Sequence, residues 1–215
     1  MLRLFKARGA ADNLRLNAMS DGVFAIVMTL MVLEVRLPRV AHHELVPALV
    51  ESLPEIVTVL LSFVVLGIYW VGHNNVFQHV LKHDRMMLWL NILFLLVVAL
   101  VPYSAGMLVH YSDTQAAHLV YACSLAVGGV LLDLIWWYAA HKRHLMCDTV
   151  TPELVRAFHV RILTGPALYL VAVAVSFVSL LVTEVIFGLA IVYYLVPTAQ
   201  DLLHHRQLSR TGTPT

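Results

Sequence analysis

Polar side chains that could do chemistry are concentrated in one segment, from Arg15 to Glu34, where Arg15, Asn17, Ser20 and Asp21 lead directly into an uncharged apolar run over residues 22–33. At about 100° per residue on a helix, Arg15, Met19, Gly22, Ile26, Thr29, Leu30 and Leu33 share one face, and Asn17, Ser20 and Asp21 point to other sides. Ile26, Leu30 and Leu33 stand at i, i+4 and i+7, with the Thr29 hydroxyl beside them. Two readings fit this stripe. It suits ordinary helix–helix or lipid contact, because such spacing is ubiquitous in membranes. It also suits a pore lined by copies of the helix, closed by rings of Ile and Leu that gate by dewetting. The polar groups on the other sides would bind neighbouring helices, since polar groups left in lipid are costly.

Four further residues, Arg15, Asp21, His73 and Asp84, fall toward one end of the first three apolar runs. A buried Arg–Asp–His arrangement there would satisfy its charges and fix helix packing. The functional alternative is a proton relay or pH sensor, because histidine titrates near neutrality, and the structural role is the preferred reading. His79 and His83 stand four apart, which places both on one helical face and suits zinc. No cysteine or carboxylate joins them at a motif spacing, so a solvated loop is expected and no metal or cofactor is implied. His42-His43, His141, His144 and His204-His205 lie near charges or helix ends and read as interfacial or solvated. Asp133, beside Trp136-Trp137, is expected to cap a helix or pair with Lys142 or Arg143. Cys123 and Cys147 make no disulfide framework. The absence of H-E-x-x-H, G-x-S-x-G and paired membrane aspartates argues against an enzyme.

The elements that must carry these residues follow from composition. Hydrophobic residues make up 60% of the 215 positions and charged residues 13%, against roughly 45–50% and 25% in a soluble domain. The mean hydropathy is +0.80. So much apolar surface cannot be hidden at this size, which excludes a soluble enzyme, a nucleic-acid binder and a disordered chain. The net charge of +1 gives no polyelectrolyte attraction to DNA or RNA. Apolar runs fall at 22–33, 56–82, 86–112, 114–132, 162–183 and 185–200. A helical span needs about 20 residues, so the first run crosses only if its helix also carries Arg15, Asn17, Ser20 and Asp21. It has no A-x-A-like cleavage site and reads as a retained first helix rather than a signal peptide.

Six spans place the N-terminus, the Lys82/Arg85 loop, the 142–161 segment and the C-terminal tail on one side, with 12 of the 14 Lys and Arg residues. The other side holds only Arg36 and Arg39, beside Glu44, Glu51 and Glu55. The positive-inside rule then puts both termini in the cytoplasm. The expected fold is an all-α integral membrane protein with six transmembrane helices over residues 1–207 and a short polar tail over 208–215. The hairpin expected around Glu184 is tight.

The segment Arg15-x-x-x-Met19-Ser20-Asp21, followed by Gly-Val-Phe-Ala-Ile and Leu-Glu-Val, resembles the R-x-x-x-F-S-D signature that opens the first helix of the endolysosomal potassium channel family and its six-helix prokaryotic relatives. The resemblance continues through Tyr69-Trp70-x-x-His73, Asp84, Asn91 and Val-Pro102-Tyr-Ser. Met19 replaces the usual Phe and keeps an apolar packing residue. The resemblance implies that first helices line the pore, with Ile26 at the hydrophobic constriction, Leu30 and Leu33 continuing it, and Thr29 in a hydroxyl layer favouring potassium. It also implies a structural network of Arg15, Ser20, Asp21, Trp70, His73 and Asp84. Animal members carry two six-helix repeats and form dimers, so one repeat implies a homotetramer in a prokaryotic plasma membrane, its other partners being the lipid bilayer and monovalent cations.

No T-V-G-Y-G filter or re-entrant pore loop is present, so potassium preference must come from partial dehydration at a narrow apolar ring and from Thr29 dipoles, and it should be moderate. Glu34 is a candidate for attracting cations at the end of the helix, or for pairing with Arg36. The function expected is passive, potassium-preferring cation conduction. The competing function is a proton-coupled secondary transporter using Asp133 or Asp21. Transporters carry broken helices or inverted repeats. Here only Gly128-Gly129 and Gly165-Pro166 interrupt the spans, and no repeat is visible.

Overall fold

Apolar runs this long must satisfy their backbone groups internally, and a helix does so within one segment. The computed structural model describes residues 2–33, 35, 40–147 and 150–196, with 2–12, 42 and 143 described by backbone alone. Its helices are α1 (Leu2–Leu33), a short α2 (Leu45–Glu51), α3 (Leu53–Gln78), α4 (Arg85–His110), α5 (Gln115–His141), α6 (Pro152–Val175) and α7 (Leu180–Leu195). The helix α1 runs unbroken through the polar segment, so its apolar stretch is the 21 residues Asn13–Leu33. That is the extension the first span required.

Five helices, α1, α3, α4, α5 and α6, are long and apolar enough to cross a membrane. The sixth expected span is the shorter α7, whose 16 residues rise about 24 Å against a hydrocarbon core of about 30 Å. Its limits differ from the expected run because Ser179 caps its first turn, its Oγ accepting from the Val182 amide at 3.4 Å. The turn therefore falls before Leu180, and Glu184 lies inside α7 rather than at the hairpin tip. Similarly α6 starts ten residues before residue 162. Thr151 Oγ1 accepts from the Leu154 amide at 3.3 Å, and Pro152, which has no N–H to lose, occupies the first turn.

The helices α4, α5 and α6 pack in sequence, α7 closes against α6 and α3, and α1 lies at one edge on α3 and α4. The core is filled by Phe24, Leu66, Met87, Phe94, Leu125, Ile135 and Trp136. The two glycine-containing interruptions interlock. A Cβ on Gly129 of α5 would come within 2.5 Å of Pro166 Cγ on α6, so the missing side chain is the hole that receives the proline ring. Pro166 deprives the Ile162 carbonyl of its partner, and the Tyr194 hydroxyl of α7 restores one. It donates to Arg161 O at 2.8 Å, lies 3.3 Å from Ile162 O, and accepts from the Gly165 amide at 2.8 Å. Tyr69 of α3 likewise donates to the Leu125 carbonyl of α5. These breaks are thus packed joints between helices.

Candidate functional site

The helix α1 has two unlike faces. Leu16, Ser20, Phe24, Val27 and Met31 are buried against α3 and α4. The opposite stripe is bare: Ile26 is 61% exposed, Leu30 46% and Leu33 75%, with Thr29 and Gly22 exposed beside them. Among the described residues, nothing covers the stripe that the helical wheel places on one face. The Thr29 hydroxyl donates to its own helix at Ile26 O, 2.8 Å away. Its one proton is spent there, so its remaining lone pairs are all it offers outward. Glu34, Arg36 and Arg39 lie outside the described residues, as do His204, His205 and the tail.

What holds the buried face is a polar chain across three helices. Asn91 of α4 donates to Ser20 Oγ at 3.1 Å, and its Oδ1 lies 2.8 Å from His73 Nε2 of α3. Ser20 passes its own proton to Leu16 O at 3.0 Å. All three side chains are buried. His73 is stacked between Phe77, at 4.3 Å between ring centroids, and Phe94, at 5.6 Å. Polar groups in such surroundings persist because they are paired.

The expected Arg–Asp–His cluster is divided differently. Asp21 is exposed and its Oδ1 accepts from Trp70 Nε1 at 2.8 Å, tying α1 to α3 at the margin of their contact. Arg15 is exposed and outside the Ser20–Asn91–His73 chain. Asp84 caps α4, its carboxylate accepting from the Met87 amide at 2.9 Å and from the Tyr138 hydroxyl of α5 at 2.6 Å. Desolvation raises the Asp84 pKa, but the hydrogen bonds from Tyr138, Met87 and Met86 and the Lys142 charge outweigh it and hold the carboxyl below its ordinary range. The physical reason for the division is neutrality: Asn91 offers His73 a partner without bringing a charge into the core.

Other expectations are corrected by helix limits and neighbours. The helix α3 ends at Gln78, so His79 and His83 do not share a helical face. His79 Nδ1 bonds Asn75 O and His83 Nδ1 bonds Asn13 Oδ1, each at 2.8 Å. Asp133 pairs with His159 of α6 at 2.6 Å and not with Lys142, the Arg143 side chain lying outside the described residues, because α6 begins early enough to bring His159 beside α5. His118, fully buried on α5, lies 3.5 Å from Glu184 of α7. Neither histidine stood out in the sequence: His118 lies inside the apolar run 114–132, which was an available signal, whereas His159 lies between Arg156 and Arg161 and gave none. His43, His141 and His144 are exposed as expected. Among the described residues no three His, Cys, Asp or Glu side chains converge to hold a metal.

The family model for the endosomal/lysosomal potassium channel TMEM175 matches residues 15–102, the stretch containing the whole anchoring chain and the exposed stripe. A potassium channel of Streptomyces collinus is 35% identical over 185 residues, spanning 84% of this chain and 90% of that one. A potassium channel of Chamaesiphon minutus is also 35% identical, over 188 residues, 84% of this chain and 93% of the other. The crystal structure of a lysosomal potassium-selective channel TMEM175 homolog from Chamaesiphon minutus superposes with a TM-score of 0.75 at 31% identity, covering 86% of this chain and 96% of that one. An all-helical multi-pass bundle, the signature in α1 and relatives matched over nearly their full length agree: this chain belongs to the TMEM175 potassium channel family.

Proposed function

We propose that this protein is a potassium-preferring cation channel conducting passively through a homotetrameric pore lined by α1. The observation that carries the reading is the two-faced α1. A helix anchored by Ser20, Phe24 and Val27 on one side, with Ile26, Thr29, Leu30 and Leu33 bare on the other, is built to meet copies of itself. Four such helices about an axis form successive apolar rings, the narrowest at Ile26, which dewet when closed. Thr29 offers oxygen lone pairs to a partly dehydrated cation and no proton that would repel it. Potassium is favoured over sodium because it surrenders hydration water at lower cost, and a flexible ring of hydroxyls makes that preference moderate.

In this reading α7 is the sixth crossing, tilted little and thinning the bilayer locally, with Tyr193 and Tyr194 near one interface. Both termini are cytoplasmic and the protein resides in the plasma membrane. The potassium channels among its relatives support conduction over coupled transport. The Asp133 carboxylate is taken up by His159 in a contact between α5 and α6.

The test is flux from liposomes loaded with potassium and then with sodium, comparing wild type with Ile26→Asn. The variant is expected to raise potassium flux and weaken discrimination, since an amide at the constriction stays wet. Unchanged flux and selectivity would remove Ile26 from the pathway.

A further inference from the structure

Side-chain hydrogen bonds tie α1 to its neighbours at two levels, one at Ser20 and Asp21 and one nearer its start. Seven residues before Ser20, and therefore within about 20° of it around the helix, Asn13 continues the same anchoring face. Its Nδ2 donates to Val80 O at 3.0 Å and to Leu81 O at 2.8 Å, and its Oδ1 meets His83 Nδ1 at 2.8 Å. The amide is saturated by one turn, the 79–83 link between α3 and α4. That turn is itself braced. Leu81 N donates to Leu145 O at 2.8 Å, Lys82 N to the same carbonyl at 3.3 Å, and Cys147 N to His79 O at 3.0 Å, joining it to the α5–α6 link as a two-stranded bridge. Asn13 therefore holds the base of α1 to a point rigidified by backbone bonding.

From this geometry we propose that Asn13 is a positioning residue for the pore, its two donated hydrogen bonds setting the tilt of α1 and hence the radius at Ile26. The inference rests on α1 lining the pore. Asn13 lies about 10 Å along the axis from Ser20, and Ile26 lies about 9 Å beyond Ser20 on the other side. With Ser20 held by Asn91, α1 is a lever pivoting there. A slip of about 1 Å at Asn13 moves Ile26 by about 0.9 Å in the opposite sense. Repeated in four subunits, the ring diameter changes by nearly 2 Å, more than half the roughly 2.8 Å diameter of a water molecule, which shifts the balance between a wet and a dry apolar ring. A displacement of the α5–α6 link reaches the constriction by the same route, through the bridge to the 79–83 turn.

The experiment uses the full-length protein in planar bilayers, with single-channel records in potassium and thermal unfolding in detergent for Asn13→Ala, Asn13→Asp and Ile26→Asn. Asn13→Asp keeps the size and the contact with His83 but has no N–H to donate. Both Asn13 variants are expected to shift open probability by at least about fivefold, the low end of ordinary coupling between sites, with unitary conductance retained because the constriction side chains are untouched. Should Asn13→Ala fail to fold, Asn13→Asp carries the test. Open probability within about twofold of wild type in Asn13→Asp overturns the proposal, as does a fall in unitary conductance equal to that in open probability. Altered conductance in Ile26→Asn, with Asn13 variants like wild type, leaves the pore standing and the lever wrong. No effect of Ile26→Asn locates the failure in the pore reading itself.

Discussion

Replacing Asn91 with leucine tests whether hydrogen bonding or shape holds α1 against α3 and α4. The two side chains are close in size, so packing against Ser20 and His73 is largely kept while both polar links vanish. Ser20 is not orphaned, because its hydroxyl still donates to Leu16 O at 3.0 Å. His73 is: its Nε2 loses a 2.8 Å partner in a site 2% exposed and walled by Phe24, Phe77 and Phe94. An unsatisfied buried polar group costs about 1–3 kcal/mol, and interhelical hydrogen bonds in membranes average about 0.6 kcal/mol. Asn91→Leu should therefore destabilise by about 1–2 kcal/mol. Adding His73→Phe removes the orphan and puts a fourth ring into an aromatic nest, so the double variant should recover at least about half of that loss. Equilibrium unfolding in mixed micelles of dodecyl sulfate and mild detergent, followed by tryptophan fluorescence, measures all three species. A double variant no more stable than Asn91→Leu would refute the reasoning, because it would mean that the loss came from misfit and not from the stranded imidazole.

Gly129→Ala should destabilise in the same assay by up to about 2 kcal/mol, an overpacking cost of about 1–3 kcal/mol against Pro166 less about 1 kcal/mol of helix propensity, whereas Gly188→Ala, with nothing within 4 Å of its new methyl, should be neutral or stabilising. Tyr194→Phe strips the hydroxyl that serves Arg161 O and the Gly165 amide and should cost about 1 kcal/mol; no loss in the unfolding midpoint would mean that the break in α6 needs no such support. Because the Asp84 carboxyl is held below its ordinary value of 3.8, its contribution is complete above that value and lost as pH falls through the lower folded one. Tyr138→Phe should therefore lower stability at neutral pH and flatten its decline below about pH 4, which an unfolding series in pH reads directly.

Much of this protein is decided locally. The length of the apolar runs and the scarcity of charge dictate membrane helices, since a helix satisfies the backbone of each of α3, α4 and α5 within one segment in lipid. The wheel of α1 already separates Ile26, Thr29, Leu30 and Leu33 from Ser20, because both sets of side chains ride on one rigid helix with a known rotation per residue. The order of basic loops predicts a topology on the same one-dimensional terms. What those terms cannot reach is partnership. That His73 bonds Asn91 rather than Asp21, that Asp133 meets His159, and that Asn13 is clamped by the 79–83 turn depend on which helices touch and at what height. Those heights are set by the ends of helices, which one hydroxyl or proline moves by several residues, as Thr151 and Pro152 move the start of α6 and Ser179 that of α7. A glycine is equally mute in sequence: Gly129 becomes a socket only because α6 delivers Pro166 to it, and Gly188, identical in composition and in helical setting, faces open space.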